Sequence, residues 1–90
     1  MKTKTILFFL IISFGKYFSQ ETFPNGQIKI KETILNGKLQ GERITYFENG
    51  QVEIKANYIN GLLNGEFISY FENGQLCVKR YYQNGKSTGD

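Results

Sequence analysis

Apolar side chains recur at every second position over several short stretches of this chain, with lysine, glutamate, threonine or serine between them. A period of two is typical of β-strands, in which successive side chains point to opposite faces of the sheet. The pattern therefore predicts strands with one apolar face and one largely polar face. The apolar positions are Ile28, Ile30 and Ile34, Ile44 and Tyr46, Val52, Ile54, Ala56 and Tyr58, Ile68 and Tyr70, and Leu76, Val78 and Tyr82.

Asn-Gly pairs separate these stretches. Glycine enters positive φ without steric cost and asparagine tolerates it better than most residues, so each pair indicates a reversal of the chain. We therefore predict an all-β fold, an antiparallel β-meander of hairpin repeats in a single-layer, twisted open sheet. The glycines assigned to structural turns are Gly26, Gly37, Gly50, Gly61, Gly74 and Gly85.

Three copies of one cassette, at a constant step of 24 residues, account for most of the chain. A fixed internal period indicates a repeat architecture. The last copy ends at Gly89-Asp90, which corresponds to the Gly-Glu steps that begin a new strand in the earlier copies. The strand from Leu76 to Tyr82 is thus predicted to be an edge without a neighbour. The copies open at Phe23, Phe47 and Phe71 and span residues 23–46, 47–70 and 71–90.

Two types of turn are considered. The pairing register of the neighbouring strands indicates which turn ends at Gly50, because a slip of one residue moves every side chain to the other face. A three-residue loop that ends at Gly50 pairs Tyr46 with Val52. It also pairs Ile44 with Ile54, so that apolar residues meet. This loop is a type I turn followed by a left-handed glycine, and it accommodates the proline at the same place in the first copy.

The second type of turn, around Asn60-Gly61, is less well defined by the pattern. A tight turn there would pair Tyr58 with Leu63, and a bulge near Gly65, at a position that the pattern does not define, would then be needed to keep apolar residues together. In the last hairpin, the three-residue loop places Glu66 across from Arg80.

The first 20 residues lie outside the repeat and predict a secretory signal peptide. Lys2 and Lys4 give a positive start, and the run from Ile6 to Phe14 is almost entirely apolar. This run is too short to cross a bilayer as a helix, which takes roughly 20 residues. A buried N-terminal strand or helix is the alternative. We expect cleavage near Gln20, a mature repeat domain of residues 21–90, and an extracytoplasmic location that is periplasmic, cell-surface or secreted.

Charge and composition narrow the classes of function. The chain has a net charge of +3, but three of its 11 basic residues lie in the predicted leader, so the mature domain is neutral and nucleic acid is not an expected partner. There is no histidine, and the single cysteine, Cys77, cannot form an internal disulfide. We predict no enzyme, with no catalytic residues, no cofactor and no metal site.

The sequence Asn-Gly-Lys-Leu-Gln-Gly-Glu at residues 36–42, continued by Tyr-Phe-Glu-Asn-Gly-Gln at residues 46–51, resembles the MORN repeat. The closer similarity is to its bacterial, antitoxin-like variant. The resemblance covers residues 23–90 and depends on the Gly-x-x-x-Gly-Glu spacing followed by paired aromatics. It implies an elongated antiparallel sheet and a role in protein association or membrane apposition, with toxin neutralisation in the bacterial variant.

Aromatic residues supply the candidate interaction surface. Adjacent aromatics on a strand point to opposite faces, so some of them should form a second apolar line on the polar face. Alternatively, they clasp the sheet and fill the gaps beside the glycines. The candidate line is Phe47, Phe67, Phe71 and Tyr81, and the open edge strand adds Leu76, Val78 and Tyr82.

Together these observations predict an exported, non-catalytic repeat module that binds an unknown protein partner through its β-surface or edge strand. Self-association through the C-terminal edge strand is one form of such binding. The first alternative is an antitoxin-like or immunity role, in which the same surface binds a toxin. Attachment to a membrane surface or a glycan is a further alternative. Export separates the first two, because an exported chain cannot neutralise a cytoplasmic toxin.

Overall fold

The computed structural model describes residues 5–13 and 15–88, with the side chains of residues 15–88. Predictions that concern Lys2, Lys4, Phe14 or Gly89-Asp90 lie outside these residues. Within the described part the chain forms nine strands and no helix. The strands are β1 (Thr5–Ser13), β2 (Lys16–Thr22), β3 (Ile28–Leu35), β4 (Lys38–Leu39), β5 (Gly41–Tyr46), β6 (Val52–Ile59), β7 (Leu62–Tyr70), β8 (Leu76–Gln83) and β9 (Lys86–Ser87).

One antiparallel sheet contains all of these strands. Its order is β1-β2-β3-β5-β6-β7-β8-β9, and the two-residue β4 lies beside β3, ahead of β5. The sheet measures 39 by 39 by 19 Å, and among residues 15–88 only Ala56 and Glu21 are buried, with 1% and 8% of their surface exposed. An open sheet with almost no interior confirms the predicted all-β meander.

Two kinds of turn alternate between the strands. In the first kind, the Gly50 N–H donates to the Phe47 carbonyl at 2.9 Å and the Phe47 N–H donates to the Gln51 carbonyl at 2.8 Å. This is the predicted three-residue loop. In the second kind, asparagine and glycine both have positive φ, 52° at Asn60 and 83° at Gly61, as a tight two-residue turn requires. All six glycines assigned to turns have φ between 80° and 93°.

The register of the first hairpin type is confirmed at its tip and wrong beyond it. Tyr46 pairs with Val52 as predicted, but Ile54 pairs with Thr45 instead of Ile44. The cause is a one-residue bulge at Glu53, which recurs at Lys29 and Cys77 in the other copies. An extra residue in one strand moves the side chains that follow it to the other face.

These bulges overturn the predicted division into one apolar and one polar face. Ile44 lies in a cross-strand row between Lys31 and Lys55, and Ile68 continues this row between Lys55 and Lys79. The other face carries the row formed by Ile30, Thr45, Ile54, Ser69 and Val78. Both faces therefore alternate apolar and polar side chains from strand to strand.

The predicted bulge near Gly65 is confirmed. Tyr58 pairs with Leu63, and the next pair along is Ala56 with Phe67. One residue of β6 thus faces three residues of β7, and the middle one, Gly65, has a φ of 100°. Two extra residues at this point restore the pairing of the strands beyond the tight turn.

The N-terminal strands occupy the region of the predicted leader. β1 pairs with β2, and β2 pairs with β3. The Gly15 carbonyl accepts a hydrogen bond from Asn36 N–H at 2.7 Å, as the Leu39 carbonyl does from Gly61 N–H at 2.9 Å. β2 therefore lies against β3 as β5 lies against β6. The leader concerns processing of this chain and stays a prediction.

Candidate interaction surface

The seven residues predicted to form an interaction surface do not lie together. Phe67 and Tyr82 share one face, where their rings meet edge to face with centroids 5.9 Å apart, and Val78 lies on the same face. Tyr81 lies on the opposite face, across from Glu66. The predicted continuous line of aromatics is therefore wrong, because the bulges change the phase of the strands. Phe67 instead pairs with the buried Ala56, as expected if it clasps the sheet.

Phe47 and Phe71 belong to the turn edge, the side of the sheet where the three-residue loops stack. Each loop is bonded to the next, because Asn49 Nδ2 donates to the Glu72 carbonyl at 3.1 Å and Asn25 Nδ2 donates to the Glu48 carbonyl at 3.4 Å. The asparagine Oδ1 also accepts the Gln51 N–H at 2.9 Å in the second loop. These asparagines thus connect consecutive repeats as well as closing the turns.

A groove of about 360 Å³ opens beside the first two loops, and Lys29 Nζ lies 5.6 Å from the ring centroid of Phe23, which lines it. Within the described residues, no three His, Cys, Asp or Glu side chains lie close enough together to hold a metal ion. No described helix has the length and apolar character needed to cross a membrane.

The outer edge of β8 is paired along only part of its length within the described residues. β9 pairs only with Tyr82 and Gln83 of this strand. The prediction that β8 has no neighbour is therefore wrong over its last residues, where the Asn84-Gly85 turn folds the chain back. From Leu76 to Arg80, the outer edge has no strand partner among residues 5–13 and 15–88.

Backbone groups on this edge point away from the sheet. The Tyr81 carbonyl accepts a hydrogen bond from Thr88 N–H at 2.8 Å, so the peptide groups of Tyr81 face outward. Because successive residues of a strand direct their N–H and C=O groups to opposite edges, those of Arg80 face β7 and those of Lys79 face outward. Lys79 thus offers a donor and an acceptor to a further strand.

Apolar side chains surround this edge. Leu76 is 55% exposed and Tyr81 is 43% exposed. Cys77, the bulge residue of this copy, is also exposed. An unpaired strand edge flanked by exposed apolar side chains is a site at which another strand can add.

The predicted placement of Glu66 across from Arg80 is wrong. Glu66 lies across from Tyr81, because the bulge at Cys77 shifts the strand, and the predicted partner Arg80 lies across from Phe67. The Glu66 carboxylate is 3.5 Å from Lys79 Nζ and accepts a 3.4 Å hydrogen bond from the Tyr81 hydroxyl. Coulombic interactions with Tyr81 and then with Glu66 raise the pKa of Lys79 above its ordinary value.

Sequence reasoning missed the bulges and the short strand β9. Lys29, Glu53 and Cys77 occupy the same position in the three copies, and their different characters gave no sign of a shared backbone irregularity. The earlier copies contain the equivalents of β9, since strands begin with Lys38-Leu39 and Leu62-Leu63 directly after the equivalent turns. That comparison was the signal that could have found it.

The strand order, the two kinds of turn and the constant step define a protein built from stacked β-hairpin repeats. Residues 39–60 and 63–84 each match the family model of the MORN repeat variant, and the chain belongs to that family. MORN repeats are generally non-catalytic binding modules. No curated protein and no solved structure matches the chain.

Proposed function

We propose that this protein is an exported, non-catalytic repeat module that binds a protein partner by adding a partner strand to the outer edge of β8. The observation that carries the proposal is the unpaired stretch from Leu76 to Arg80. In the two earlier repeats, the same edge of β3 and β6 is covered by β5 and β7. Main-chain hydrogen bonds along such an edge supply affinity, and the flanking side chains supply selectivity.

The test is capture of partners from the native envelope fraction with three baits: the unmodified chain, Lys79→Ala and Lys79→Pro. Proline removes the outward N–H of Lys79 and leaves the hydrogen bonds to β7 intact, since those come from neighbouring residues. Alanine removes the Lys79–Glu66 ion pair but keeps the N–H. We expect the unmodified chain and Lys79→Ala to retain a shared partner and Lys79→Pro to lose it.

Equal capture by all three baits would contradict strand addition at this edge. Light scattering of the same three proteins at micromolar concentration identifies the case in which the partner is a second copy of the chain. A mass above that of the monomer in the first two proteins, and a monomer in Lys79→Pro, would assign the edge to self-association.

Export has its own test. N-terminal sequencing of the protein from its native host should find a mature chain that begins near Gln20 or Glu21. Cleavage there would also remove β1 and most of β2, and so uncover the edge of β3. Protein that still begins at Met1 in the cytosol would contradict export and return attention to cytoplasmic toxin binding.

A further inference from the structure

We propose that the strand recognised by β8 has a defined side-chain pattern: an acidic residue opposite Arg80, a branched apolar residue opposite Lys79 and a small hydroxyl residue opposite Val78. This inference rests on the proposed function, strand addition at the β8 edge. It names the partner by chemistry, as an extended acidic, apolar, hydroxyl segment of another protein.

The earlier repeats show what covers this edge when it is paired. Val78 corresponds to Ile30 and Ile54, which pair with Thr45 and Ser69. A small hydroxyl residue thus lies opposite this position in both copies. Because Val78 keeps the branched apolar character of those isoleucines, the same kind of residue fits opposite it.

Lys79 is the same type of residue as its counterparts in the two earlier copies. It corresponds to Lys31 and Lys55, which pair with Ile44 and Ile68. In the first copy, Lys31 Nζ also lies 5.9 Å from the ring centroid of Tyr46, two residues beyond Ile44. A lysine stem covers apolar surface while its charged end contacts an aromatic ring. We therefore expect an isoleucine-like residue opposite Lys79 and an aromatic residue two positions later.

Arg80 is the position at which the copies differ. Its counterpart Glu32 forms a 2.8 Å ion pair with Arg43 on the covering strand, and its counterpart Ala56 pairs with Phe67. No ion pair joins Arg80 to another of residues 15–88, and its side chain is exposed. With the charge reversed from that of Glu32, the covering strand needs an acidic residue in place of Arg43.

A pair of peptides tests the pattern. The first is the β5 sequence at residues 41–47, Gly-Glu-Arg-Ile-Thr-Tyr-Phe, and the second replaces its arginine by glutamate. Each is titrated into the full chain and into Arg80→Glu, with the amide NMR signals of Lys79 and Tyr81 as the readout. Opposite charges across a strand pair attract and like charges repel, so the unmodified chain should bind the glutamate peptide about three- to ten-fold more tightly. Arg80→Glu should reverse this order.

Equal binding of the two peptides at the edge would overturn the inferred pattern and leave strand addition standing. Binding of neither peptide would also overturn it, while the capture experiment with Lys79→Pro decides the proposed function separately. A dimer that is present before peptide is added, and that Lys79→Pro dissociates, would overturn it in favour of a second copy of the chain.

Discussion

The strands β6 and β8 occupy equivalent positions in consecutive repeats, yet they differ sharply in exposure. Ala56 in β6 is 1% exposed, whereas its counterpart Arg80 in β8 is exposed. Val52 is half-buried, whereas its counterpart Leu76 is 55% exposed. β6 lies between β5 and β7, while β8 has β7 on one side and, within the part of the chain that the structure describes, the two residues of β9 on the other. Burial in this sheet is therefore set by the neighbouring strands.

This difference follows from the single-layer architecture. A sheet without a second layer buries side chains only between rows of the sheet itself, so each repeat depends on contacts with the next. The third repeat then has the local geometry of the others without an equivalent covering strand among residues 5–13 and 15–88. Its strand is formed but half covered, which is the condition a strand-adding partner requires.

The largest expected effect comes from proline at the two equivalent lysines. Lys55 corresponds to Lys79, but its outward peptide group faces β7 instead of solvent. Lys55→Pro should remove a hydrogen bond inside the sheet and lower the free energy of unfolding by about 3 kcal/mol or more. Lys79→Pro should cost less than about 1 kcal/mol. Urea melts measure both, and equal losses would contradict the assignment of β8 as an open edge.

The next largest loss of stability is expected at the equivalent positions Ala56 and Arg80, which differ strongly in burial. Ala56→Arg places the residue of β8 into β6, where a charged side chain loses its water. We expect a loss of about 2 to 4 kcal/mol, since a buried charge without a partner is costly. Arg80→Ala, the reverse exchange, should change stability by no more than about 0.5 kcal/mol. If the two variants melted alike, burial would not depend on the neighbouring strand.

A smaller loss of stability is expected at the three-residue loop, which has the same hydrogen bonds in both repeats. Gly50 has a φ of 92°, so Gly50→Val should cost on the order of 1 to 2 kcal/mol. Glu48→Pro should be tolerated, because Pro24 occupies the same place in the first copy. Thermal melts of both variants provide the measurement. A harmless valine together with a damaging proline would contradict the assigned loop.

Much of this architecture follows from local sequence. The Asn-Gly pairs supply glycines that readily adopt the positive φ of both kinds of turn, and so they predict the turns, the meander and the pairing next to each turn. The faces could not be predicted, because the bulges at Glu53 and Cys77 depend on how two strands accommodate each other. For the same reason the residues of the candidate surface are divided between places: Leu76 and Tyr81 lie in β8, whereas Phe67 packs against its own sheet.

The smallest effect is electrostatic. Tyr81 and then Glu66 raise the pKa of Lys79 above its ordinary value of 10.5. A raised pKa in the folded state means that protonated Lys79 contributes stability below pH 10.5, and that this contribution is lost as the pH rises through the folded value. An NMR titration of Lys79 should show the raised pKa, and Tyr81→Phe should lower it. An unchanged pKa in that variant would exclude Tyr81 as the main cause.

Amide hydrogen exchange of Lys55 and Lys79 tests the central claim most directly. Both peptide groups face the same edge of equivalent strands, and among the described strands that of Lys55 meets a neighbour while that of Lys79 does not. In dilute protein, we predict that the Lys79 amide exchanges at close to the rate of an exposed amide. The Lys55 amide should be protected at least about 100-fold more. Equal protection of the two amides would show that the β8 edge is already covered and would contradict the account.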